Sequence, residues 1–232
     1  MDYGPKTINI AEEKQHVANL ISERKAGRTI ALFNDSSQKL KKHSLAIFKA
    51  ITGEDESIGE FVNASFLKKK RGKEYLANID EELTKIQVHQ FSPSITSGHS
   101  FEKNVMDSVN IISNKITLPT QVIQSSSRFR LNEQICLSFI NPFMPSEYET
   151  CIDKILQSIV NDELVKNSKS NRSHLISSRY VLLIAELIKH NNEMRNDYCS
   201  NTVMMFEMLG FKINNLASNK LSQQFARETI KR

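Results

Sequence analysis

Four polar side chains recur at every second position: Arg128, Arg130, Asn132 and Gln134. A guanidinium forks onto the major-groove edge of guanine, and an Asn or Gln amide onto that of adenine, so this set has the chemistry to read DNA bases. Phe129 and Leu131 alternate with them, and Ile135, Leu137 and Phe139 continue the apolar parity. The spacing predicts a strand over 128–139 with one apolar and one polar face, Cys136 and Ser138 completing the latter. Glu133 breaks the alternation and leaves room for a bend there. An ordinary strand whose polar face meets water would read the same way.

Two helices are expected to carry that strand. After the turn NPFMPSE, Tyr148, Ile152, Ile155, Leu156 and Ile159 form a helical stripe, with Ser146 and Glu149 spaced as a capping box. A connector over 161–170 leads to a second helix over 171–190, striped by Leu175, Ile176, Tyr180, Leu183, Ile184 and Leu187. Asn171 or Ser173 can cap it, leaving amide groups suited to a phosphate. Strand, helix, turn, helix over 128–190 resembles the ribbon-helix-helix DNA-binding regulators, and NRSHLISSRYVLLIAEL resembles their second helix. The connector is long for that family. The resemblance implies a mainly α fold with short strands (α+β), built of ribbon-helix-helix modules with flanking helices. It implies a homodimer whose antiparallel ribbon enters the major groove of double-stranded DNA. Arg128, Arg130, Asn132 and Gln134 would read bases, and Asn171, Arg172 and Ser173 would hold the backbone. The function it implies is a transcriptional regulator, with plasmid conjugation genes as candidate targets. The alternative is a helical accessory factor of a plasmid or phage that binds a protein partner.

The same order recurs earlier in the chain. Thr29–Phe33 reads as a strand, Asn34, Asp35 and Ser36 as helix-start residues, and 37–51 as a helix closed by Gly53. A second helix over 57–70 would start at Asp55 or Ser57, with Glu60 placed for a capping box and Ile58, Phe61, Val62 and Phe66 as its stripe. From Lys25 to Glu74 there are 11 Lys/Arg against 6 Asp/Glu, whereas from Arg128 to His190 there are 8 against 7. Much of the chain's formal charge of +5 therefore resides in the earlier stretch, above all in Lys68, Lys69, Lys70, Arg71 and Lys73. Such a cluster grips phosphates without reading sequence. Arg28, Lys69 and Lys70 join the candidate DNA contacts on that ground.

The rest of the chain divides less sharply. The expected organisation is an N-terminal helical region (1–74), a mixed middle section (75–127), the ribbon-helix-helix candidate (128–190) and C-terminal helices (191–232). Residues 1–9 read as a tail and 11–25 as a helix ended by Gly27. LTKIQVHQF reads as a strand, FEKNVMDSVNIISN as a helix, KITLPTQVI as a strand broken at Pro119, and QSSSR as a linker. After a polar connector from Asn191, TVMMFEMLGF reads as a helix and the tail as an amphipathic one. The three scattered cysteines predict neither a disulfide framework nor a zinc site. No membrane span, secretion signal, glycine-rich phosphate loop or catalytic motif is recognisable. The expectation is a cytoplasmic, non-enzymatic protein with no cofactor, no metal and no membrane partner.

Overall fold

The computed structural model describes residues 6–36, 61–62, 64–85, 88–92, 106–129, 132–140, 142, 147–166 and 179–215. Seven strands lie among them: β1 (Thr7–Ile10), β2 (Ile30–Asn34), β3 (Phe61–Val62), β4 (Val88–Phe91), β5 (Ser108–Ser113), β6 (Gln134–Phe139) and β7 (Lys212–Asn215). They form one sheet in the order β3-β4-β2-β5-β6-β1-β7, and every pairing is parallel. Parallel strands are covered on both faces and so read as continuous apolar runs. IALF in β2 and II in β5 are of this kind, and every β2 residue is buried.

Helices lie on both faces. α1 (Glu13–Lys25) packs on β2 and β6. α2 (Ala64–Leu67), α3 (Lys70–Ala77) and α4 (Ile79–Lys85) connect β3 to β4, and α5 (Pro119–Ser126) connects β5 to β6. Residues paired across parallel strands share a face. Ala31, His89 and Val109 therefore lie on one side of the sheet, and Leu32, Gln90 and Asn110 on the other. The ring of His16 in α1 reaches Asn110, whereas Tyr75 in α3 reaches His89. This is a doubly wound α/β architecture of the Rossmann-like kind.

The chain forms two compact units: residues 1–142 with 199–232, and residues 143–198. The second holds α6 (Ile152–Lys166) and α7 (Arg179–Asn196), packed together. Its entry segment is tied to the end of α7. Asn196 accepts from the Tyr148 backbone N–H at 2.7 Å and donates to the Tyr148 carbonyl at 3.0 Å, and Arg195 lies over the Tyr148 ring. α8 (Tyr198–Met208) ends at Gly210, whose φ of +81° suits a residue without a Cβ, and the chain turns there into β7 beside β1.

The mainly α, ribbon-helix-helix expectation is overturned. β6 is an interior strand held in parallel between β5 and β1. It cannot be half of an exposed antiparallel ribbon, and the ribbon dimer falls with it. The strand is shorter than the expected 128–139, and within β6 the alternation holds, but Ser138 on its polar parity meets His16 of α1 instead of water. β2, proposed as a second ribbon, is equally interior. Its presumed second helix contains β3, since Phe61 and Val62 pair with Gln90 and Phe91. The supposed tail supplies β1, the supposed helix over 101–114 supplies β5, and Pro119 opens α5 where a strand was expected. The connector expected over 191–201 is helical, its first six residues closing α7 and Tyr198 to Asn201 opening the next helix. The helices expected over 37–51 and 216–232 lie outside the described residues. The helix over 11–25 agrees with expectation, and of the strand expected over 83–91 the part Val88–Phe91 does, whereas Leu83 to Lys85 close α4.

The buried polar side of β6 has a defined chemistry. Asn110 gives its amide N–H to the Ser108 hydroxyl at 3.0 Å, which leaves its oxygen facing His16 Nε2 at 2.9 Å. With the amide so placed, Nε2 donates to that oxygen, and Nδ1 pairs with the Ser138 hydroxyl at 2.9 Å. Cys136 lies on the same side. Burial, reinforced by the charge of Glu23, pushes its thiol up to about 12. Alkylation at about pH 8 is therefore expected to modify exposed Cys151 while sparing Cys136 and buried Cys199. Mass spectrometry of the labelled peptides checks this, and rapid labelling of Cys136 would contradict its burial.

Candidate nucleic-acid interface

Because all seven strands run the same way, their carboxyl ends share one edge. In open parallel sheets, ligands bind outside that edge where neighbouring strands lead in opposite directions. β2 and β5 are such a pair: the next described strand after β2 is β3, at one border, whereas β5 leads through α5 to β6 on the other side.

The residues at this point form a closed polar cluster. Asn34 Oδ1 accepts from the Ser36 backbone N–H at 2.8 Å and from the Asn114 amide at 2.7 Å. The Asp35 carboxylate is 3% exposed and accepts from the backbone N–H groups of Asn114 at 2.6 Å and Ile116 at 3.0 Å. It also accepts from the Asn114 side chain at 2.9 Å and the Ser113 hydroxyl at 3.2 Å. Converging N–H groups of this sort make an anion-binding concavity, and here the Asp35 side chain fills it. The arrangement fixes the β5–α5 turn, in which Lys115 takes a φ of +61°.

The second feature of this edge is basic. The Ser92 backbone N–H donates to the Val62 carbonyl at 3.0 Å, which fixes the carboxyl end of β3 beside that of β4. Six residues after Val62 the run Lys68-Lys69-Lys70-Arg71 begins, followed by Lys73, and all five side chains are exposed. The run is held by a compact junction between α2 and α3. The Lys69 N–H donates to the Phe66 carbonyl at 3.0 Å, Phe66 packs edge-on against Tyr75 at 5.7 Å, and the Tyr75 hydroxyl reaches His89 Nδ1 at 3.0 Å. Arg71 is ion-paired with Glu82, and Lys70 lies 3.8 Å from Glu74. Exposed pairs such as the latter hold little energy, so Lys70 remains available to a stronger anion.

The structure separates the residues expected to act together. Lys69 and Lys70 follow β3 on the carboxyl side. Arg28 precedes β2, exposed and 3.9 Å from Glu23. Asn132 and Gln134 stand at the entry to β6, on the amino side. Asn132 is 8% exposed and donates to the Met106 carbonyl at 3.0 Å, so its amide braces the chain before β5 and cannot read a base. Gln134 is exposed. Arg128 sits in the turn after α5, and partial burial pulls its guanidinium below the ordinary value. Arg130, Asn171, Arg172 and Ser173 lie outside the described residues.

The Asn34–Asp35–Asn114 cluster was missed because Asn-Asp-Ser also signals a helix start. Strand-end polar residues on both IALFND and NIISNK were its only trace in the sequence. Among the described residues, no His, Cys, Asp and Glu side chains gather as a metal site. No protein-family model and no curated protein matches the chain. Fold and site together define an α/β protein whose exposed basic run follows β3 through α2.

Proposed function

We propose that this chain binds nucleic acid, double-stranded DNA first among the candidates, through the sugar-phosphate backbone at the carboxyl edge of its sheet. The observation that carries this reading is the exposed run Lys68-Lys69-Lys70-Arg71-Lys73, which follows β3 through the single turn of α2. It lies on the edge that parallel α/β sheets use for ligands. The pI of about 9.0 and formal charge of +5 give it the background field to attract a polyanion. The β2/β5 switch point holds its own carboxylate, so the attraction centres on the lysines. Contacts of this kind position a duplex without specifying its sequence. No helix among the described residues is long and apolar enough to cross a membrane. The reading places the protein in the cytoplasm, where its cysteine thiols would stay reduced.

The test is fluorescence anisotropy with labelled duplex and single strands of about 20 nucleotides across a salt series. The double reversal Lys69→Glu with Lys70→Glu is expected to weaken binding by at least about tenfold and to reduce the salt slope by about 2. Arg28→Glu, on the opposite edge, is expected to leave affinity within about twofold. Equal losses from both edges, or no loss from the lysine reversals, would remove the reading and direct the search to a protein partner.

A further inference from the structure

We propose that the exposed face of α7 is a homodimer interface, filled by α7 of a second copy running antiparallel. Val181 and Ala185 are buried, whereas Tyr180 is 70%, Leu183 58% and Leu187 55% exposed. A surface helix normally presents polar residues on its outer side, and these three are spaced by three and then four residues. That is the spacing of a coiled-coil seam. Arg179 and Glu186 are exposed, seven residues apart, and lie on the same flank of the seam.

The charges decide which occupant fits. In a parallel pair the residue flanking the seam at Arg179 would meet the partner's Ile184, and no ion pair would form. In an antiparallel pair like flanks meet. With Leu183 on the two-fold axis, Tyr180 packs against the partner's Leu187, and symmetry repeats the contact. The same register sets Arg179 beside the partner's Glu186, also twice. An interface in which each contact is made reciprocally is what a closed dimer requires. One helix pair is smaller than a standard interface, so the dimer is a weak one, with a Kd on the order of 10 µM.

Sedimentation equilibrium of the full chain over about 1 to 200 µM tests this. The unaltered protein is expected to pass from monomer to dimer across that range. Leu183→Glu is expected to raise the Kd at least about twentyfold. Arg179→Glu and Glu186→Arg should each raise it about tenfold, and the double variant should return it to within about threefold of the starting value. All these side chains are exposed, and circular dichroism confirms that each variant keeps its helices. A protein monomeric throughout the range overturns the proposal, as does a dimer that ignores both single reversals or is not recovered by the double variant.

Discussion

Replacing Asp35 by alanine is expected to lower the unfolding free energy by about 3–5 kcal/mol, seen as a lower urea midpoint. The carboxylate gathers the backbone N–H groups of Asn114 and Ile116, the Asn114 amide and the Ser113 hydroxyl, from the end of β5 and the turn into α5. Each buried donor left without an acceptor costs about 1–3 kcal/mol, and water entering the vacated space recovers part of the total. Asp35→Asn keeps the shape and one acceptor oxygen, so its loss should be about half as large. The sequence separation matters to the interpretation. Asp35 follows β2 and its donors follow β5, some 79–81 residues later, so the cluster forms only once those strands are paired. A midpoint for Asp35→Ala within error of the parent would show that the turn holds itself.

Gly72→Ala is the second large effect. A Cβ at Gly72 would stand 2.7 Å from the Leu67 Cα and closer still to the Phe66 carbonyl. Both are backbone atoms, and no side chain can rotate to make room. The α2–α3 junction must open, which separates the Phe66 and Tyr75 rings and displaces the lysine run. Overpacking of this kind costs about 3 kcal/mol. Thermal unfolding measures that loss. Anisotropy on a DNA duplex should show weaker binding although no charge has changed, which separates the placing of the lysines from their number. Parent-like stability for Gly72→Ala would show that the close approach is relieved at little cost.

Gly72 also illustrates what a linear reading overlooks. Inside KKKRGKEY it reads as a mild weakness in a helix. Its reason for being glycine lies six residues back, in the turn that folds α2 onto α3. Similarly, Asn132 carries the right amide for adenine, and its hydrogen bond to Met106 commits that amide to bracing the entry to β5. The alternation of β6 was visible, but alternation reports two unlike faces and not what covers them. Water and a polar helix face satisfy Cys136 and Ser138 equally well. Only α1, with His16 bonded to Ser138 from 122 residues away, makes the second answer correct.

The sequence by itself determined the features that depend on neighbours within a few residues. These are the helix from Glu13 to Lys25, the strand at Val88–Phe91, the helical character around Leu183, and the concentration of positive charge near Lys69. Tertiary structure decided everything that depends on which strands meet. β1 lies between β6 and β7, with Thr7 level with Gln134 on one side and Lys212 on the other. No periodicity encodes such a pairing, because the period of a strand is the same whether its neighbour is parallel or antiparallel, near or far. The direction of the strands sets which residues share an edge. That is why Arg28 and Gln134 stand on one side of the sheet and Asp35 and the lysine run on the other.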